Sequence, residues 1–237
     1  MNHLDLFTGI MGFSIAAHLA GIKTVAVSEI EPYCCELIKL RMPGVQNLGD
    51  IKNYEEWAID EPIDIITASP PCQPFSVAGK QAGKSDDRNL WKETVGTAIK
   101  FNADWIIIEN VVGIVKMVLD EWIDDLESVG YEVGTIDIQA ACVGLPTVER
   151  HIWIIASSNG IRQKRGICKE IQRIGTQSWE FPRGDQGETQ RWSIPESRVR
   201  RVGEGFSGEM DRVKALGNAI PPQIAYEIMS SIMEVNQ

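Results

Sequence analysis

The sequence predicts an α/β domain with a mostly parallel sheet covered by helices on both faces. Two observations carry this. Over residues 1–156, strand-like apolar runs alternate with amphipathic helical stretches, and repeated strand-then-helix units pair their strands in parallel. The runs IDIITA (63–68) and DWIIIEN (104–110) are apolar almost throughout, as strands buried on both faces are.

The elements follow in order. HLDLFT (3–8) reads as a strand, followed by a helix over 14–20; KTVAVSE (23–29) as a strand, followed by a helix over 33–41. IDIITA precedes a helix over 89–101, and DWIIIEN precedes a helix over 113–129. YEVGTIDIQA (131–140) and HIWIIA (151–156) complete the strands. From 157 to about 208 the periodicity disappears and Gly, Arg, Gln and Ser dominate. A last helix in IPPQIAYEIMSSIMEV begins beside Pro221 and Pro222, with Ile224, Ile228 and Ile232 on one stripe. The expected organisation is a main domain at 1–156, a small recognition region at 157–208, and a returning segment and helix at 209–237.

With 237 residues and 43% hydrophobic content, the chain can bury a substantial core. Its apolar stretches are too short and interrupted to cross a bilayer, and the N-terminus has no basic region leading an apolar one. The five cysteines (Cys34, Cys35, Cys72, Cys142, Cys168) show no C-x-x-C pair, so neither a disulfide framework nor a zinc or other metal site is expected, and a reducing cytoplasm fits. The net charge of −10 argues at first against nucleic acid, yet it is unevenly spread. Residues 157–214 hold 12 basic against 8 acidic side chains, a localised hint of a polyanion-binding surface.

In an open parallel sheet, ligands sit beyond the carboxyl ends of the strands, and four loops there are unusual. In DLFTGIMGFS (5–14), Gly9 and Gly12 allow a tight turn and close approach to a ligand before a helix. Glu29 ends the second strand about 20 residues beyond Gly9, the spacing at which an acid accepts from ribose hydroxyls, so the two suggest an adenosine-type cofactor. A dinucleotide oxidoreductase is disfavoured, because the loop lacks the three-glycine fingerprint. SPPCQPFS (69–76) holds Cys72 among three prolines, which fix the backbone and present a thiol as a nucleophile must be presented. ENV (109–111) puts Glu109 at the mouth of a buried strand, where burial favours the protonated carboxyl and proton donation near neutral pH.

These parts suit one difficult reaction. Carbon 5 of cytosine is too weak a nucleophile to take a methyl group unaided. Addition of Cys72 to carbon 6, with Glu109 donating to ring nitrogen 3, pushes electron density onto carbon 5. A stacked base is out of reach, so the target must be flipped out.

The ordered motifs resemble the DNA (cytosine-5) methyltransferase family over 1–156 and again from about Val213 to the end, with a recognition segment as short as in compact bacterial or phage-borne members. The resemblance implies a Rossmann-like S-adenosylmethionine-dependent methyltransferase fold, with Phe7, Gly9 and Gly12 lining the cofactor. Glu29 then stands at the ribose, Ile30 on the adenine, and Asp50 with Ile51 near the adenine amino group. Pro71 partners the nucleophile Cys72, Leu90 in DRNLW contacts the cofactor, and Asn218 in GNAIPP lies near its methionine moiety. Two departures stand out. In GLPTVERHIW (144–153), Thr147, Glu149 and His151 replace the family's Gln, Arg and Arg, so His151 or neighbouring Arg150 must help hold the target base. The recognition segment is also much shorter than usual. Lys164, Arg165, Arg198, Arg200 and Arg201 there, with Gln73, Ser76 and Arg88 near the catalytic loop, are the expected DNA contacts. The expected partner is double-stranded DNA, met by a monomer or by a chain that a partner or second copy completes. A tRNA substrate and a catalytically weak DNA- or cofactor-binding homologue remain alternatives.

Overall fold

The computed structural model describes residues 1–71, 90–143, 149–158, 215–216 and 219–236. Cys72, Gln73, Ser76, Arg88, Lys164, Arg165, Arg198, Arg200, Arg201 and Asn218 lie outside the described residues, as does nearly all of the 157–208 region.

Seven strands among the described residues form one sheet: β1 (Asn2–Leu6), β2 (Lys23–Ser28), β3 (Gln46–Asn47), β4 (Ile65–Ala68), β5 (Trp105–Val111), β6 (Glu132–Gln139) and β7 (Arg150–Ser157). Their order is β3-β2-β1-β4-β5-β7-β6. The pairs from β3 to β5 are parallel, whereas β7 runs antiparallel to both β5 and β6. Helices α1 (Gly12–Leu19), α2 (Pro32–Arg41), α3 (Trp91–Phe101), α4 (Leu119–Ser128) and α5 (Pro222–Val235) complete the fold. None of the described helices is long and apolar enough to cross a membrane.

Strand alternation explains how the two faces are covered. Leu4, Leu6, Ile66, Ile106, Ile108, Ile152 and Ile154 share one cluster with Trp91 of α3 and Trp122 and Leu126 of α4. Ile65, Trp105, Ile107, Trp153 and Ile155, at the intervening positions, pack against Phe13, Ala16 and Ala17 of α1 and Ile224, Ile228 and Ile232 of α5. The indoles of Trp91 and Trp122 stack at 4.2 Å, and Trp91 Nε1 donates to Asp125.

Two local features differ from the sequence expectation. The helix expected over 113–129 is divided into a 3-10 turn (Val112–Lys116) and α4, with Val118 in a non-helical conformation between them. The run VVGIV explains this, since β-branched residues and a glycine favour helix poorly and a short, tight turn suffices there. The short strand β3 and the 3-10 helix Ile51–Glu56 were not expected; two residues are too few to carry a periodic pattern.

Beneath the first loop lies a buried polar chain. Ser14 Oγ donates to Asp5 Oδ2 at 2.6 Å, and Thr67 Oγ1 donates to Asp5 Oδ1 at 3.0 Å. With its hydrogen committed, Thr67 Oγ1 accepts from His3 Nε2 at 2.8 Å, which leaves His3 Nδ1 to accept from Thr24 Oγ1 at 3.0 Å. Burial pushes the Asp5 carboxyl up to about 7 and the His3 imidazole down to about 3.

Asp5 has a raised folded pKa, so its contribution to stability is present below about pH 4 and is lost as pH rises through about 7. The depressed His3 works the other way, contributing above its ordinary range and losing that as pH falls towards 3. Asp5→Asn removes only the first effect. Its stability relative to the natural chain should therefore improve by on the order of 2–4 kcal/mol between pH 4 and pH 8, measured by denaturant unfolding at each pH. A second expectation concerns Gly12, where an added Cβ would lie 2.6 Å from Ile220 Cγ1 and 3.2 Å from the Ile220 carbonyl oxygen. Gly12→Ala should cost about 1–3 kcal/mol by forcing α1 away from the start of α5, read in the same experiment.

Candidate functional site

The carboxyl ends of β1, β2, β4 and β5 meet at one edge of the sheet, and the crossover reverses between β1 and β4, where open α/β sheets bind ligands. A cleft of about 340 Å³ opens there.

One wall is the loop after β1, in which Phe7 (φ 57°), Gly9 (φ 54°) and Met11 (φ 69°) adopt left-handed backbone conformations. For Phe7 and Met11 this costs energy that surrounding bonds must offset. Thr8 supplies several, its hydroxyl donating to Asp5 O, its N–H to Ser28 O, and its carbonyl accepting from Met11 N. The result is that Gly9 N points at Glu29, 2.6 Å from Oε2.

Glu29 follows β2, and its Oε1 accepts from the N–H groups of Ile30 (2.8 Å) and Glu31 (2.7 Å) as α2 begins. Three backbone donors thus hold the carboxylate in place, and its remaining lone pairs can still accept from a ligand diol. Asn47 of β3 braces the same corner, accepting from Glu29 N and Gly49 N through Oδ1 and donating to Glu29 O. Beside this acid, Ile30 leaves 64% of its surface in solvent, and Phe7, Ile51 and Leu90 offer further apolar faces. Asp50 caps the 3-10 helix by accepting from Lys52 N and also lines the cleft.

The far end of the cleft is built around Glu109 on β5, which is only 4% exposed. Ser69 Oγ donates to its Oε2 at 2.6 Å, and His151 Nδ1 bonds its Oε1. This bond holds His151 above the ordinary histidine range, against the opposing effect of burial. Asn110 Nδ2 donates to Pro70 O at 3.1 Å, tying the end of β5 to the loop that carries Pro71.

The structure therefore brings Phe7, Gly9, Glu29, Ile30, Asp50, Ile51, Pro71, Leu90, Glu109 and His151 into one cleft. Gly12 does not line this cleft itself; it packs against Ile220 and lines a small adjoining pocket with Phe7, Gly9 and Ser69. Arg150 is not brought in either: strand alternation turns it to the opposite face from His151, where its guanidinium pairs with Asp137 of β6. Ser69, Asn110 and Asn47 were not singled out from the sequence. The first two sit inside the quoted motifs, while Asn47 had no motif to mark it.

The lining has a chemical bias. Among the described residues it includes the carboxylates Glu29, Glu31, Asp50, Glu109 and Glu149 and neither lysine nor arginine. Such a cleft favours a cationic ligand and repels phosphate. A ribose diol would meet Glu29 and an adenine the apolar faces, so these residues fit a sulfonium nucleoside. Glu29→Gln replaces one carboxylate oxygen with an amide that cannot accept, leaving a backbone N–H unmatched, and should lower unfolding free energy by about 1–3 kcal/mol in chemical denaturation.

A family model described as C-5 cytosine-specific DNA methylase matches residues 1–202. The chain is 29% identical over 161 residues to the Type II methyltransferase M.NgoMIV of Neisseria gonorrhoeae, covering 66% of this chain and 51% of that protein. It is 28% identical over 203 residues to M1.HphI of Haemophilus parahaemolyticus, covering 79% and 55%. The chain thus spans about half the length of the curated relatives it matches. Among solved structures, a DNMT2 mutant of Spodoptera frugiperda aligns with a TM-score of 0.53 at 24% identity, over 78% of this chain and 53% of that one. The S. pombe Dnmt2 methyltransferase aligns with a TM-score of 0.52 at 23% identity, over 68% and 51%. At these identities the structural likeness speaks for the fold, and it agrees with the sheet described above. With the family model covering most of its length, the chain belongs to the C-5 cytosine-specific DNA methylases.

Proposed function

We propose that the protein methylates carbon 5 of a cytosine flipped out of duplex DNA, using S-adenosylmethionine. The observation that carries this reading is the single cleft whose walls hold both Glu29, poised by three backbone donors beside exposed Ile30, and the buried Glu109. The first end suits an adenosine, the second a pyrimidine ring nitrogen.

S-adenosylmethionine supplies the electrophilic methyl group. The rest falls to the chain. Phe7, Glu29, Ile30, Asp50, Ile51 and Leu90 hold the nucleoside, and the acidic lining favours its positive charge. Cys72, the residue after the cleft-lining Pro71, adds its sulfur to carbon 6 while Glu109 protonates ring nitrogen 3. Methyl transfer to carbon 5 is followed by loss of the carbon 5 proton, return of the nitrogen proton to Glu109, and expulsion of Cys72 as thiolate. The same lining keeps phosphates outside, so that only an uncharged base enters. Lys164, Arg165, Arg198, Arg200 and Arg201, with Gln73, Ser76 and Arg88, are assigned to the DNA backbone and the flipped base, and Asn218 to the methionine end of the cofactor. A second reading, a weakly active homologue, draws support from Glu149 and His151 at positions where the family pattern has arginines.

Incubation with tritiated S-adenosylmethionine and mixed-sequence duplex DNA should place label at cytosine carbon 5. Cys72→Ser should lower that label by at least about 100-fold, on the order of a lost nucleophile. Duplexes carrying 5-fluorocytosine should trap a covalent complex. Label on tRNA alone, or cofactor binding without transfer, would decide for the other readings.

A further inference from the structure

We infer that His151 supplies and recovers the proton that Glu109 passes to the pyrimidine, so that the two side chains act as one donor; this rests on the methyltransfer reading above.

Both oxygens of Glu109 are engaged, Oε2 by the Ser69 hydroxyl at 2.6 Å and Oε1 by His151 Nδ1. A carboxylate that accepts from both neighbours has no hydrogen of its own to donate. To act as an acid, it must be given a proton inside a site from which it is nearly excluded from water, its side chain being 5% exposed. The Nδ1 hydrogen of an imidazolium is the proton already in line with Oε1. The ring itself reaches the cleft with 17% of its side chain exposed, so Nε2 can exchange with solvent.

Glu109 on β5 and Glu149 at the head of β7, whose Oε2 lies 4.0 Å from His151 Nε2, are the charged groups facing the ring among the described residues. Both favour the imidazolium, and the hydrogen bond to Glu109 holds it above the ordinary histidine range. An arginine at this position could orient Glu109 but could not release a proton, since it stays protonated at any working pH.

The proton balance is closed. Nδ1–H breaks as Oε1–H forms; Oε1–H breaks as the hydrogen on ring nitrogen 3 forms and Cys72 adds. After elimination the nitrogen 3 proton returns through Oε1 to Nδ1, and the only proton released to solvent is the one displaced from carbon 5. His151 is thus a positioning residue acting through Glu109.

The working state holds one labile proton on the pair, so methyl transfer should fall on the alkaline side as that proton is lost. The test is single-turnover methylation of duplex DNA from pH 6 to 10. In His151→Arg the only labile proton left on the pair is the carboxyl's, which a fixed cation beside it disfavours, so the alkaline fall should move down by at least about one pH unit, and in His151→Gln the rate at pH 7 should drop by about tenfold or more with cofactor affinity retained. An alkaline limb unchanged in His151→Arg, or a Gln variant as fast as the natural chain, overturns the proposal. Nitrogen-15 NMR of the three histidines gives a readout that needs no turnover. The His151 midpoint should fall in Glu109→Gln, and an unmoved midpoint refutes the pair. Absence of methyl transfer in the natural chain would instead refute the functional reading, while the NMR result still judges the pair.

Discussion

The antiparallel pairing of β7 with β5 is the constraint on which the site depends. It sets His151 opposite Val111 and Trp153 opposite Glu109, so His151 and Glu109 share one face of the sheet as diagonal neighbours. A slip of one residue would turn Arg150 towards Glu109 and put the imidazole on the other face. The register is secured by burial on both sides of β7, where Ile152 and Ile154 pack towards α3 and α4, and Trp153 and Ile155 towards α1 and α5. Core packing far from the chemistry therefore decides which side chain meets the acid.

Most of the sheet was legible because its strands are long and buried. IDIITA and DWIIIEN are runs that only a buried strand or helix explains, and their lengths favour strand. The acidic residues at strand ends could be read with them, since the carboxyl ends of parallel strands face one edge. The choice between Arg150 and His151 was not legible. Alternation says that they point to opposite faces, but both faces of this sheet are covered, so nothing in the sequence says which one opens onto the cleft. Asn47 escaped notice for a related reason. It works through two bonds to the backbone around Glu29, and its two-residue strand gains its meaning only from pairing with β2.

The first loop shows a different balance. Phe7 and Met11 hold conformations that side chains disfavour, and the strain is offset by a buried polar scaffold running from Ser14 through Asp5 and Thr67 to His3. Such a scaffold is costly to bury unless every member is satisfied, and here each of the four finds a partner. The loop presents Gly9 N to Glu29 only because this chain exists beneath it. The bonds that fold this corner are accordingly the same ones that fix Glu29 in the wall of the cleft.

The close contact of Gly12 with Ile220 carries a consequence for the segment that precedes it. The chain leaves the sheet at Ser158, and by Ile220 it is already packed against α1, with α5 filling the same cluster as β4, β5 and β7. Residues 159–214 thus join two anchored points of one core. Closing an insertion costs only about 0.6 kcal/mol more for each doubling of its length. A change of length between those two points therefore leaves the packing of β5, β7, α1 and α5 on one another untouched.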